Sequence, residues 1–174
     1  MPKMQPFWWF LKPKIICPEG EQIINGGFES DLSVGWNATV PPELNPTYPW
    51  NRTTFPHSGF YSAKSDWPRG CLAQDFSSPI PFSCVKTWGC WYYYTGPIPR
   101  VYLFFTDGTY VYRNLGKGVT PLFQWNYEDW FVDVWTGQDE SVYKTKSIAK
   151  IVLYTYWVAS GECYVDDVSL VGTG

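Results

Sequence analysis

In this sequence of 174 residues, the groups equipped for chemistry are few and scattered. The single histidine, His57, sits in a Pro-His-Ser-Gly turn, and no nucleophile–base spacing surrounds it. Cys17, Cys71, Cys84, Cys90 and Cys163 form no CxxC pair, which with one His argues against a structural zinc site. Their odd number leaves at least one thiol free or joined to another chain. The pairing is open, and a role as small buried hydrophobes accounts for several of them equally well. Glu128, Asp129 and Asp133 are the one acidic cluster near a predicted strand. Glycoside hydrolysis on a sandwich needs two facing carboxylates, and this spacing does not set Glu128 or Asp129 opposite Asp133. The carboxylate that stands out lies in Tyr164-Val165-Asp166-Asp167-Val168-Ser169-Leu170. Alternation along a strand makes Val168 and Leu170 its core face, and the same parity carries Asp166. A carboxylate so placed must be paired, hydrogen-bonded or metal-bound, whereas Asp167 falls on the solvated parity. The chain reads as one that binds rather than catalyses.

The elements that must position these residues are strands. Aromatic residues make up 20% of the chain against 17% charged, with 11 Trp and 13 Tyr, a composition suited to pleated, half-buried surfaces. The 15 Gly and 15 Pro punctuate short segments. Strand signals fall at Ile23-Ile24, Gly59–Ser65, Cys71–Phe76, Cys84–Thr95, Arg100–Thr106, Thr109–Arg113, Trp130–Trp135, Ile148–Val158 and Glu162–Val171. Asp107-Gly108 predicts a two-residue hairpin and Ala159-Ser160-Gly161 a short turn. Thr39–Thr54 reads as a long proline-rich loop, and Asp139–Lys150 is the one modest helix candidate. Eight or nine short strands without intervening helices predict an all-β, two-sheet antiparallel sandwich over 22–174.

Residues 1–21 read as an extended aromatic arm. Pro2, Pro6, Pro13 and Pro18 disfavour helix and ladder, yet Phe7, Trp8, Trp9 and Phe10 are too apolar to stand in water. They must pack on this domain or on a neighbouring subunit. The Phe7–Leu11 run is too short for a signal-peptide core or a membrane span, so either a leader is already gone or the protein reaches its place by another route. A net charge of −3 with no Lys/Arg run argues against nucleic acid as the partner. Asn37-Ala38-Thr39 and Asn51-Arg52-Thr53 fit the glycosylation acceptor pattern in predicted loops.

Four blocks in order carry a resemblance. They are Ile23-Ile24-Asn25-Gly26-Gly27-Phe28-Glu29 with Gly35-Trp36, His57-Ser58-Gly59-Phe60-Tyr61-Ser62, Gly89-Cys90-Trp91, and Tyr164 to Leu170. Together they resemble the jelly-roll carbohydrate-binding modules with the galactose-binding-like fold, over Ile23 to Val171. The aromatic arm and the Tyr-rich central strand depart from that pattern. The resemblance implies a structural Ca²⁺ pinning first block to last, with Glu29, Asp166 and a Gly27 carbonyl as ligands, hard oxygens of the kind this ion takes. It also implies a glycan-binding face, where rings stack on sugar C–H groups. Alternation in Gly89–Thr95 sets Cys90, Tyr92 and Tyr94 on one side and Trp91 and Tyr93 on the other, the candidate platform. Tyr154 and Tyr156 are expected to extend it from another strand, with Trp50 and Trp67 at its rim.

Two functions of different class follow, with a β-sandwich glycoside hydrolase as a weaker third. One is a component of an exterior assembly, such as a virion decoration or cell-surface coat, joined to itself or other subunits through Phe7, Trp8, Trp9 and Phe10. The other is a glycan-binding accessory module of a secreted carbohydrate-active enzyme. Sandwiches serve both, and both place the protein outside the cell or on a virion.

Overall fold

The computed structural model of the chain describes residues 15–37, 39–116, 123–130, 135–156 and 161–174, with Trp130 through its backbone only. Eleven strands are described: β1 Glu19–Glu21, β2 Tyr48–Pro49, β3 Asn51–Thr53, β4 Ser62–Ser65, β5 Gly70–Pro81, β6 Val85–Tyr94, β7 Ile98–Phe105, β8 Tyr110–Asn114, β9 Asn126–Trp130, β10 Ser147–Tyr156 and β11 Cys163–Thr173. A front sheet runs β3-β4-β11-β6-β9, with β1 also paired to β11, and a back sheet runs β2-β5-β10-β7-β8. Pairing is antiparallel except for the two-residue β2, which lies parallel to β5. This is the all-β, two-sheet sandwich expected.

The sequence explains the layers. Trp88, Cys90, Tyr92 and Tyr94 of β6 share a core with Cys163, Val165, Val168 and Leu170 of β11 and with Leu72, Val101, Leu103, Ile151 and Leu153 of the back sheet. These are alternate positions on each strand, interrupted once. Cys163 and Val165 are odd, Val168 and Leu170 even, because β11 carries one extra residue between Asp166, opposite Trp91, and Ser169, opposite Gly89. The other side of the back sheet holds a second cluster, Cys71, Ala73, Tyr102, Phe104, Val152 and Tyr154, closed by Leu44 from the proline-rich segment. Strands covered on both faces read as apolar on both parities.

Several boundaries differ from expectation. The first strand is Glu19–Glu21, and Ile23-Ile24 leads into a turn instead. The expected arm, 1–21, therefore joins the sandwich at its end: β1 lies on the closing strand, and Cys17 forms a disulfide with Cys84. Phe7, Trp8, Trp9 and Phe10 lie outside the described residues, as do most of Trp130–Trp135 and the Ala159-Ser160 turn. The Asp107 turn spans four residues, with Asp107 Oδ1 accepting from Thr109 N and Oγ1. The helix candidate shrinks to α1, Glu140–Tyr143, capped by Asp139. Part of the proline-rich loop pairs as β2 and β3, which puts the Asn51-Arg52-Thr53 acceptor on an edge strand.

First block meets last at the extra residue of β11. Val168 N donates to Gly26 O at 3.0 Å. A Cβ on Gly26 would lie 2.0 Å from Val168 O, so only glycine permits the approach.

Candidate functional site: an aromatic shelf on the front sheet

The outer face of the front sheet can be read off its register. Asn51, Lys64, Tyr164 and Tyr93 stand in one row across β3, β4, β11 and β6. Asp166, Trp91 and Tyr127 form the next row, and Ser169, Gly89 and Asp129 the third. Trp91 and Tyr93 face outward, as alternation in β6 requires, because Cys90, Tyr92 and Tyr94 fill the core. Asp166 lies on the opposite face from the one its parity with Val168 and Leu170 predicts. The extra residue of β11 flips the parity, so Asp166 shares Tyr164's outer face rather than the Val168–Leu170 core face. It is nevertheless fully buried.

What buries it is the segment 55–61, which folds across the sheet. Asp166 Oδ2 accepts from His57 N at 2.9 Å and Ser58 N at 3.2 Å, and its Oδ1 accepts from Asp167 N at 2.8 Å. Asp167, with φ 48°, turns its carboxylate to His57 Nδ1 and Ser58 Oγ, each donating at 2.9 Å. At the far end of the loop, Glu29 Oε1 accepts from Phe60 N at 2.8 Å and Tyr61 N at 3.1 Å. Gly59 bends there at φ 63°, and a Cβ on it would sit 2.2 Å from Glu29 Oε1. Burial pushes the Asp166 carboxyl up to about 6, against the backbone amides of Ser58, Asp167 and His57 that favour its charge; Asp167 adds to the rise.

Held this way, the loop builds a second aromatic layer. The His57 ring stacks on Trp91 with centroids 3.6 Å apart and planes 11° apart. Phe55 lies 5.2 Å from Tyr93, 4.9 Å from Tyr164 and 5.9 Å from Trp125. Tyr127 leans on Trp91 at 5.2 Å. The outer rings reach solvent: Phe55 of the loop is 43% exposed and Tyr127 of β9 51%. A charged rim borders them. Lys64 pairs with Asp66 and Glu162, both at 2.7 Å, and Tyr164 Oη donates to Glu162 at 2.7 Å. Burial, with that hydrogen bond adding, pushes the Tyr164 hydroxyl up to about 12.

Of the residues singled out in the sequence, Trp91 and Tyr93 are brought together here, as supports whose upper sides are occupied by His57 and Phe55. Tyr154 and Tyr156 do not extend the platform, because β10 belongs to the back sheet and both lie on its outer side. Trp50 is a core residue, 4% exposed, rather than a rim ring. Trp67 is exposed but stacks on Tyr48, beside the back-sheet strand β2. Glu29 and Asp166 hold opposite ends of one loop, and the Gly27 backbone runs beside Asp167 Oδ1. Among the described residues, no group of three or more His, Cys, Asp and Glu side chains gathers as metal ligands.

Phe55, His57, Trp125 and Tyr127 complete the shelf but were not among the binding candidates singled out in the sequence. Phe55 and His57 lie in a loop whose path no local pattern reveals. Trp125, Tyr127 and Asp129 do alternate, and reading β9 a few residues earlier would have found them. Ser58 Oγ donates to Asp167 rather than to His57, so these side chains do not form a Ser–His pair. Glu128 is tied to Arg113 at 3.0 Å and accepts from Gly116 N, while Asp133 lies outside the described residues.

No protein-family model matches the chain, and no curated protein does. Solved structures do. The CBM22-1 and GH10 modules of a Clostridium thermocellum endo-1,4-β-D-xylanase 10B, complexed with xylohexaose, match with a TM-score of 0.52 at 11% identity, over 90% of this chain and 29% of that one. The likeness is one of fold. The enzymatically active domain of bacteriophage CBA120 tailspike protein 4 matches at 0.52 and 14% identity, over 88% and 21% of the two chains. An exo-β-agarase matches at 0.50 and 12%, over 90% and 25%. The chain thus has the jelly-roll fold of carbohydrate-binding modules and spans about a quarter of the length of these three proteins.

Proposed function

We propose that this chain is a non-catalytic glycan-binding module whose binding surface is the front-sheet shelf of Phe55, Trp125 and Tyr127. The observation that carries this reading is the second aromatic layer. Three carboxylates, those of Glu29, Asp166 and Asp167, are spent on holding a loop that sets rings over an already aromatic sheet. A fold needs no such layer for its core, and exposed rings beside Lys64, Glu162 and Asp129 suit a ligand that is apolar on its C–H faces and polar at its edge. The matches to glycan-binding and glycan-cleaving proteins support the same class of ligand. In a glycan array followed by titration, Tyr127→Ala and Phe55→Ala are each expected to weaken binding about tenfold, or about 1.4 kcal/mol, with the melting temperature little changed. Phe60→Ala, which removes a ring 76% exposed that stacks on none of the shelf rings, serves as the control. No glycan bound by the native protein, or unchanged binding in both variants, overturns the reading.

An exterior location belongs to the same proposal and is supported by the Cys17–Cys84 disulfide, a bond favoured in oxidising compartments. So does Ca²⁺ at Glu29, Asp166 and the Gly27 carbonyl: the donors are hard oxygens, as this ion requires, and the ion would add a tie between the two ends of the 57–61 loop. Membership of an exterior assembly through Phe7, Trp8, Trp9 and Phe10 is the finer proposal. What supports it is the exposure of Ile15 and Ile16, 61% and 83%, which follow the aromatic segment in sequence.

A further inference from the structure

Two arginines without a carboxylate partner stand together at one end of the back sheet, whereas Arg52 and Lys86, which likewise show none among the described residues, lie on separate strands of the front sheet. Lys64, Arg113, Lys144, Lys146 and Lys150 are each paired with a carboxylate. Arg69 and Arg100 have no carboxylate partner among the described residues. Arg100 is only 8% exposed, and its hydrogen bonds go to neutral acceptors, Asn114 Oδ1 at 2.6 Å from Nε and Tyr102 Oη at 2.9 Å from Nη1. Its guanidinium is held between rings, 3.8 Å from the Tyr156 centroid and 4.3 Å from that of Tyr112. A buried cation without a counter-charge is costly unless something else offsets it.

Arg69 lies at the same end of this face. Tyr154 stands opposite both Cys71 and Arg100 in the register, and Arg69 N donates to the neighbouring Thr155 O at 2.8 Å. Burial pushes the Tyr154 hydroxyl up, and the charges of Arg69 and Arg100 both oppose that rise. Arg69 is exposed and takes φ 63°, in the left-handed region, as the chain enters β5. It borders a shallow cleft of about 320 Å³ with Thr47, Tyr48, Trp67 and Pro68, at the small end of ligand clefts and sized for one sugar ring. Tyr48 and Trp67 stack there at 5.6 Å and 26°, and they are 43% and 51% exposed.

We propose that this end of the back face is a second binding site, for an acidic saccharide: Tyr48 and Trp67 take the C–H face of one sugar, Arg69 pairs with its carboxylate or sulfate, and Arg100 supplies a fixed positive field behind. Guanidinium pairs with planar anions bidentately, and the exposed rings distinguish an acidic sugar from a bare anion. The site goes beyond the front-face reading and shares no residue with it, so the two fail separately.

The test is calorimetric titration of the full chain with an oligogalacturonide, a sulfated oligosaccharide and a neutral oligosaccharide of the same length. Binding of at least one acidic ligand is expected, tighter at about 20 mM than at about 500 mM salt. Arg69→Gln and Trp67→Ala, both at exposed positions, are each expected to weaken it about tenfold. Tyr127→Ala on the front sheet is expected to leave it unchanged. Preference between the carboxylated and the sulfated ligand identifies the anion. Equal binding of the neutral ligand, no effect of either back-face variant, or loss in Tyr127→Ala alone overturns the proposal.

Discussion

Asp166 shows how one side chain can be forced into two opposed states. Its burial favours the neutral acid, while the amides of His57, Ser58 and Asp167 point at it and favour the anion. Burial prevails and holds the carboxyl at about 6, against about 3.9 for an unfolded aspartate. Between those values the folded chain keeps a proton that the unfolded chain has released. The contribution of this group to stability is therefore complete below about pH 4 and is lost as pH rises through about 6, by up to about 3 kcal/mol. Asp166→Asn cannot titrate. In chelator-treated, metal-free protein, the stability of the native sequence relative to Asp166→Asn, from urea unfolding, is expected to fall between pH 4 and 6.5 and then level off. Parallel pH profiles would contradict this. The depressed carboxyls of Asp31, Asp107 and Asp139, each held down first by a hydrogen bond from a neighbouring Ser or Thr, act in the opposite sense but cancel between the two proteins.

Among the elements, β11 decides most. It pairs with β1, β4 and β6, and its single extra residue turns Asp166 outward while returning Val168 and Leu170 to the core. The turn at Gly26 is seated directly on that irregularity. Gly26→Ala would drive a methyl group into Val168 O, and no flexible side chain is there to yield. A loss of about 2–3 kcal/mol on denaturant unfolding is expected. Gly20→Ala, with nothing within 4 Å of its added Cβ, is expected to cost only the strain of its φ of 77°, about 1 kcal/mol. Equal losses at the two positions would mean that the seat on β11 does not govern the first block.

Over the whole molecule, two predictions concern how the parts are tied. If Ca²⁺ joins Glu29, Asp166 and Gly27, chelation is expected to lower the melting temperature and elemental analysis to find calcium in the native protein. An unchanged curve with no calcium leaves the loop clamped by amides alone. Removal of Met1–Lys14 is expected to lower the mass measured by light scattering if the aromatic arm joins subunits, and an unchanged mass removes the assembly proposal. The deletion leaves the Cys17–Cys84 bond and the β1–β11 pairing in place, so the sandwich itself should persist.

The layer structure was legible because it rests on local periodicity. Alternation in β6 places Cys90, Tyr92 and Tyr94 inside and Trp91 and Tyr93 outside whatever the strand's neighbours are. The closing motif also marked Asp166 as a carboxylate needing partners, and it has three amides. Its face was not legible, since one inserted residue reverses parity and leaves no local mark in the sequence. Nor was the sheet to which each strand belongs. Tyr154 and Tyr156 alternate as well as Trp91 and Tyr93 do, yet β10 lies in the other sheet, so one expected platform became two separate faces. By itself the sequence determined the sandwich, the outward rings of β6 and the importance of the closing carboxylate, all consequences of side-chain spacing along one strand. Only the tertiary structure decided that the 55–61 loop crosses the front sheet and sets His57 on Trp91, because that contact joins segments far apart in the chain through hydrogen bonds no periodicity encodes.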